Sequence, residues 1–340
     1  MKCYCLRFKS PFHVDTRGTG FYEQSDHYIQ SSTLSAAIVS IWALLAPEEA
    51  ASWASQPEFK LSSAFPYYQT KDQTYFFLPR PVNSMATVLN DDPEIIQKNF
   101  KHIKKINKIK WLESRLWTKV ISNPQIEYDN IHIISNIFAC HKNMATLMPS
   151  RFWEKEEKPR LYTDRFTNQA IKGLIFRFGR IHFEDNCGLY FLATFDNNDA
   201  RLKFESALTL LGDSGIGSDR NSGNGLFEWE ENDQFKPNLI APKLEASHVC
   251  LSLLNPCIKE NCKEVSCTEK DCDVSHWLKK SSYQLLTNAG WIGTSGKRKK
   301  SVRMFVEGSI FSKKLKGNII EVGELNGNIK VYRDGRGFFL

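Results

Sequence analysis

Apolar and polar residues alternate through KCYCLRF near the amino terminus, the period of two expected of a half-buried strand. A polar loop with His13, Arg17, Gly18 and Gly20 follows. The period then lengthens. In IQSSTLSAAIVSIWALLAPEE, Leu34, Ala37, Ile38, Ile41, Leu44 and Leu45 fall on one helical stripe, with Ser31 or Ser32 as the natural N-cap and Pro47 beyond the end. FKLSSAFPYYQTKDQTYFFLPRP reads as two short strands around a polar turn, closed by prolines. In QKNFKHIKKINKIKWLESRLW, lysines 98, 101, 104, 105, 108 and 110 interleave with Phe100, Ile103, Ile106 and Ile109. As a helix this has an apolar stripe and a basic face, and a solvated lysine face is its ordinary explanation. Residues 121–168 have no clear period and read as irregular, with a basic-aromatic patch at SRFWEKEEKPRLYTDRF.

Two strands are expected near Lys172–Phe183 and Gly188–Phe195, then a helix over NNDARLKFESALTLLG. Asn198 or Asp199 caps that helix, Phe204, Ala207, Leu208 and Leu211 form its stripe, and Gly212 suits its C′ position. LFEWE alternates again as a strand. The order strand, helix, strand, strand, helix, strand is the ferredoxin-like plan with a long insertion. After Pro237 the pattern partly restarts, with strands at HVCLSLL, RMFVEGSIF and IKVYRDGRGFFL and a helix over WLKKSSYQLLTNAGW ending at Gly290. The expectation is an α+β chain of two ferredoxin-like (RRM-like) domains. Residues 1–236 form the first, with a thumb-like insertion at about 82–168; residues 237–340 form the second, with a cysteine-rich insertion at 257–272.

Composition narrows the class only partly. The chain is 41% hydrophobic over 340 residues, enough for a substantial core, and its net charge of +7 suits a polyanionic partner without demanding one. No apolar run reaches membrane-spanning length and MKCYCLRFKS lacks a signal peptide's apolar core, so a cytoplasmic protein without a membrane partner is expected. The nine cysteines are then thiols or metal ligands rather than disulfides.

LGDSGIGSDRNSGNGLFEW concentrates five glycines between the helix and the last strand of the first unit. It is not a P-loop, because Ser218 and Asp219 stand where lysine and a hydroxyl residue belong after Gly212 and Gly217. Nor is it a dinucleotide fingerprint: Arg220 replaces the third glycine after Gly215 and Gly217. No G-x-S-x-G elbow is present. The order helix, loop, strand also runs opposite to both nucleotide-binding folds. Exposed backbone N–H groups, no bulky side chains and an embedded arginine still suit phosphates. A flexible surface loop is the plain alternative.

A glycine-rich loop in this place resembles that of RAMP-superfamily CRISPR proteins. IQSSTLSAAI, KLSSAFPYYQTKDQTYFFLPRP, PRLYTDRFT, NAGWIGTSGKRKKSVRMFVEGSIF and VYRDGRGFFL extend the resemblance over nearly the whole chain. The EGSIF and YRDGRGF stretches point more specifically to the fourth-subunit family of type III-A Csm effectors. Two features depart from the pattern: Ser32 stands where the family carries aspartate, and the cysteine-rich segment after Pro256 is no part of the signature. The resemblance implies a non-catalytic subunit of an antiviral ribonucleoprotein. It would bind the repeat-derived 5′ tag of crRNA, dock the large polymerase-cyclase subunit and the backbone RAMP subunit, and meet target RNA only indirectly. Such binding would draw affinity from phosphate contacts and specificity from splayed bases and 2′-hydroxyls.

Candidate RNA contacts are Gly215, Ile216, Gly217, Arg220, Asn221, Ser222, Gly223 and Gly225 in the loop. Ser31, Ser32 and Thr33 offer a helix N-terminus to phosphate, although plain capping explains them as well. His13 and Arg17 lie in the first loop. Gly290, Trp291, Lys297 and Arg298 form a second candidate contact, with Trp291 either stacked on a base or buried in the core. No cofactor is required. Cys257, Cys262, Cys267 and Cys272, spaced C-x4-C-x4-C-x4-C, would scatter around a helix at about 500° per step, but a folded loop could gather them, or His276, around structural zinc. The paired C-x2-C of strong zinc sites is missing, so free thiols are the plain alternative. The rival function is a metal-independent RAMP endoribonuclease that cuts repeat RNA, using His13 or His27 as acid or base.

Overall fold

The computed structural model describes residues 1–15, 21–82, 102–122, 128–236, 248–257, 278–293, 295–326 and 329–340, with backbone alone at 172–174. Arg17, Lys98, Lys101, Cys262, Cys267, Cys272 and His276 lie outside these residues.

A nine-stranded sheet carries the first part of the chain. It contains β1 (Lys2–Phe8), β2 (Phe59–Leu61), β3 (Phe65–Gln69), β4 (Thr74–Pro79), β5 (Trp111–Glu113), β6 (Ile131–Ile134), β7 (Phe138–His141), β10 (Cys187–Phe195) and β11 (Phe227–Glu231). The spatial order is β11-β1-β10-β3-β4-β5-β7-β6, with β2 also paired to β10. The first four strands of that order are antiparallel neighbours. Helix α1 (Ser31–Leu45) follows β1, short α2 (Ala50–Ser55) follows it, and α4 (Asn198–Ser214) joins β10 to β11. The expected strand-helix-strand-strand-helix-strand order of the first unit is therefore present. Its apolar face packs Tyr4, Leu6, Leu34, Ile38, Ile41, Phe191, Phe204, Leu208 and Leu211 into one core, with both long helices on the same side.

The insertion extends this sheet rather than standing apart from it. Residues 102–108 are helical, then β5 joins β4, and α3 (Ser114–Ser122) and the β6–β7 hairpin follow. Lys104, Lys105 and Lys108 are exposed while Ile106 and Ile109 are buried, so this stretch presents the solvated lysine face. The region expected to be irregular contains β6, β7 and the eleven-residue β8 (Trp153–Thr163). β8 pairs with β9 (Ala170–Phe183) in a two-stranded hairpin turned at Asp164–Asn168. Most of its side chains are exposed, so no apolar alternation marks it.

The carboxy-terminal residues correct the expected helix over WLKKSSYQLLTNAGW. Leu285–Asn288 is a strand, β13, whose backbone pairs with β14 (Val302–Phe305). Its outer face carries exposed Leu285 and Thr287, while Asn288 is buried against Gln30. The other pairs are β12 (His248–Val249) with β15 (Ile310–Phe311), and β16 (Asn318–Leu325) with β17 (Ile329–Gly335). Helices α1 and α2 of the first part pack on β17. No helix among the described residues is long and apolar enough to cross a membrane.

Candidate nucleic-acid groove

The groove begins where α4 ends. Asn197, one residue before the expected caps, accepts the Ala200 N–H at 2.8 Å. Gly212, expected just past the helix, lies within its last turn, because α4 runs so close to β11 that a side chain would overlap the Phe227 carbonyl. Gly215 makes the exit instead, at φ 80°. The chain then turns at Gly217 (φ 94°), passes a tight turn at Arg220–Ser222 and returns through Gly223 and Gly225, both at φ 77°.

Most of these glycines answer to the protein's own backbone. The Ser218 N–H donates to the His13 carbonyl (2.9 Å), Gly225 N–H to Pro11 (2.8 Å) and Ile216 N–H to Gly225 (2.9 Å). A Cβ on Gly217 would overlap the His13 carbonyl, and one on Gly225 would overlap Ile216. Gly223 meets nothing within 4 Å. Ile216 lies in the core at 1% exposure, with its N–H bonded to Gly225. Arg220, Asn221, Ser222 and Gly223 are exposed.

The first loop forms the adjoining wall. His13 is 2% exposed; its Nδ1 donates to the Gly179 carbonyl at 2.7 Å, and its ring packs on Phe178 at 4.6 Å. The third wall is α1, and here the expected capping is corrected. Gln30 is the N-cap, without a side-chain cap bond. The Ser31 hydroxyl accepts the Leu253 N–H (2.9 Å), and the Ser31 N–H donates to Ser63 (2.8 Å). Buried Ser32 is approached by the Asn288 amide at 3.5 Å. These serines bind the two parts of the chain together, and Thr33 is the one of the three that lines the groove.

Trp291 closes the fourth side. It is 45% exposed, not a core residue, and the Arg298 guanidinium lies 4.8 Å over its ring. Gly290 sits behind it, and Arg333 donates to the Asn288 and Ala289 carbonyls that hold this turn in place. Burial pushes the Arg333 guanidinium down to about 10. Burial, with Arg333 nearby, lowers Lys299 as well. Lys297 and Arg298 are exposed.

Together these walls enclose a hollow of about 450 Å³ lined by His13, Thr33, Gly215, Ile216, Gly217, Arg220, Gly290 and Trp291. Phe21 and Tyr22, 67% and 46% exposed, also line it and were not anticipated from the sequence. Three open aromatic rings, an arginine and glycine-rich backbone form a surface on which bases can stack and phosphates can approach. A second hollow of about 460 Å³ lies against β1, β3 and β11. Asp213, Glu228 and Glu230 line it, so its charge is wrong for a polyanion.

The signature stretches near the carboxy terminus are architectural. Glu307 of EGSIF accepts from the Ser63 hydroxyl, whose oxygen in turn receives the α1 N-terminus. Arg336 of YRDGRGF donates to the Pro57 and Phe59 carbonyls and to Asp334, which accepts from Ser35 on α1 (3.1 Å). Cys257 is buried, and no group of three metal-ligating side chains is present among the described residues.

Comparison with known proteins matches the model of the CRISPR Csm4 C-terminal domain to residues 246–340. Two curated relatives, both named CRISPR system Cms protein Csm4, come from Mycobacterium tuberculosis strains CDC 1551 / Oshkosh and H37Rv. Each is 30% identical over 171 residues, covering 48% of this chain and 50% of the relative. The chain thus spans about half the length of the curated relatives it matches. Among solved structures, the Csm3-Csm4 subcomplex of the type III-A CRISPR-Cas interference complex matches with a TM-score of 0.60 at 18% identity, covering 100% of this chain and 98% of that one. The Csm1-Csm4 cassette in complex with pppApA matches with a TM-score of 0.59 at 20% identity, covering 100% and 96%. At these identities the solved structures establish the fold. All three comparisons agree with the resemblance read from the sequence.

Proposed function

We propose that this chain, supported as a Csm4-type RAMP subunit by those comparisons, binds the repeat-derived 5′ tag of crRNA within a type III-A effector. One observation carries the reading. Residues from four separate parts of the sequence, His13, Thr33, Gly217–Arg220 and Trp291, meet in one groove rimmed by exposed Phe21 and Tyr22. The arrangement suits single-stranded RNA: rings for bases, and Arg220 beside a wall without bulky side chains for phosphates. The partners of this subunit are then a polymerase-cyclase subunit and a backbone RAMP subunit, since its relatives' solved structures are Csm1-Csm4 and Csm3-Csm4 assemblies. Residues 237–340 would then be the second domain, which supplies Trp291 to the groove, and the complex would work in the cytoplasm.

Neither histidine of the nuclease reading is placed as a free acid or base. His13 is buried with Nδ1 engaged by Gly179. His27 is 7% exposed, accepts the Trp111 indole N–H at 3.0 Å and stacks on Trp153 at 4.5 Å. Burial, with Lys110 and Lys155 nearby, drives it down to about 3, so it stays neutral and cannot serve as an acid near pH 7.

The test is a metal-free assay of the reconstituted complex with 5′-labelled RNA carrying its own repeat, on native and denaturing gels. The expected result is a shift with intact RNA that weakens with salt. Trp291→Ala is expected to lower affinity by roughly 30-fold, the middle of the range for one stacked base. Specific cleavage that His13→Ala abolishes would overturn the reading.

A further inference from the structure

The glycine-rich wall of the groove is fastened to an element that sequence alone leaves unconnected to it. Asp219 adopts the left-handed conformation at φ 64°, opening the Arg220–Ser222 turn. Its carboxylate accepts from the Asn224 amide (2.6 Å) and the Ser222 hydroxyl (3.1 Å), and it forms an ion pair with Arg160. Arg160 belongs to β8, an arm of the long hairpin, and lies opposite Phe176 of β9. Its guanidinium also covers Phe178 at 4.5 Å, the ring that packs on His13. Arg180 on β9 reaches Asn224 from the same side at 3.4 Å. Between them, the Gly179 N–H donates to the Tyr22 carbonyl at 2.7 Å. A Cβ on Gly179 would overlap the Glu23 carbonyl, so the first loop crosses the hairpin in direct contact. Arg160 and Asp219 keep only 26% and 17% of their side-chain surface exposed.

We infer that Arg160 and Asp219 are a positioning pair, through which the β8–β9 hairpin holds the glycine-rich loop in its RNA-accepting shape. The inference deepens the groove reading and rests on it. A carboxylate in the wall of a polyanion site opposes binding by its charge. Here that charge is spent inside the protein: Arg160 holds the Asp219 carboxyl below the usual carboxylate range, aided by Ser222 and Asn224. The three acceptor contacts fix a turn that has no apolar side chain to anchor it.

Charge and position predict opposite outcomes, which makes the pair testable. Asp219→Asn tolerates the left-handed turn and removes only the charge. If Asp219 mattered as a nearby negative charge, its loss would strengthen RNA binding. As a positioning residue, its loss weakens binding roughly fivefold, the most that a partly exposed ion pair supports. Arg160→Met is expected to do the same, the double variant no worse than either, and Arg160→Lys to recover part of the loss. Hydrogen exchange on the RNA-free protein reads the clamp separately. The Ser218 and Gly225 amides exchange faster in Asp219→Asn and Arg160→Met, while amides of the central strand β10 do not change. Equal or tighter RNA binding by Asp219→Asn, or unchanged exchange at Ser218 and Gly225, overturns the inference. So does weaker binding confined to Arg160→Met with a flatter salt dependence, which would make Arg160 a direct phosphate contact. If the wild-type complex binds no tag RNA yet these amides respond as expected, the clamp stands and the groove's ligand assignment fails.

Discussion

Gly217 and Gly223 share a positive φ but differ in surroundings. At Gly217 a methyl group would meet the His13 carbonyl, whereas at Gly223 it would meet open space. Gly217→Ala is therefore expected to destabilise the fold by about 3 kcal/mol, combining strain with displaced backbone. Gly223→Ala should cost about 1 kcal/mol from strain alone. Urea unfolding of the two variants checks the contrast. Glu307 carries a pH prediction. It is partly buried, and desolvation pushes its carboxyl up to about 7, against an unfolded value near 4.3. The native state thus holds a proton that the unfolded chain has released, so this group's contribution to stability falls as pH rises from about 4 to about 7 and is level above. Glu307→Gln should gain about 3 kcal/mol on the wild type between pH 4 and pH 8, measured as the difference in unfolding free energy. The glycine cluster was legible as a special backbone site, because only glycine so readily enters these conformations. What the sequence could not say was which atom forbids a side chain, since His13 lies about two hundred positions away. Separation in sequence, here 59 positions, also hid Arg160 from Asp219: an arginine among exposed charges carries no local mark of its partner.

At the scale of elements, legibility followed burial. α1, α4 and β11 each bury one face, so their periods of 3.6 or two were plain in the residues, while β1 and β4 are buried on both faces and were marked by their apolar residues and flanking turns. β8 was missed because WEKEEKPRLYT buries almost nothing and is held by backbone bonds to a single neighbour. β13 was misread for a related reason: its register is set by β14 and by Asn288 reaching Gln30, both remote in sequence. The N-terminus of α1 shows how tertiary contacts override local capping. Ser31 looks like a cap, yet its hydroxyl serves Leu253, more than two hundred residues on. Ser31→Ala is accordingly expected to cost about 1–3 kcal/mol, because a buried N–H loses its acceptor. The cost should appear as a lower thermal midpoint, while an exposed helix serine such as Ser40→Ala should change it little.

For the whole molecule, α1 is the shared support. It packs on α4 on one side and on β17 on the other, so the sheet of the first part and the hairpin of the last part meet across it. The groove lies along that junction, with the glycine-rich loop from one part and Trp291 from the other. A site built across two parts explains why no single motif announced it, and why the resemblance needed stretches from both ends of the chain. It also explains how Phe21 and Tyr22 escaped notice, since exposed aromatics in a loop follow no period. The most direct measurement is photo-cross-linking of 4-thiouridine-substituted tag RNA in the reconstituted complex, with mapping of the attached peptides. The account predicts cross-links to Phe21–Tyr22, to Gly217–Gly223 and to Trp291–Arg298. Cross-links confined to other surfaces, such as the acidic hollow beside β11, would contradict it.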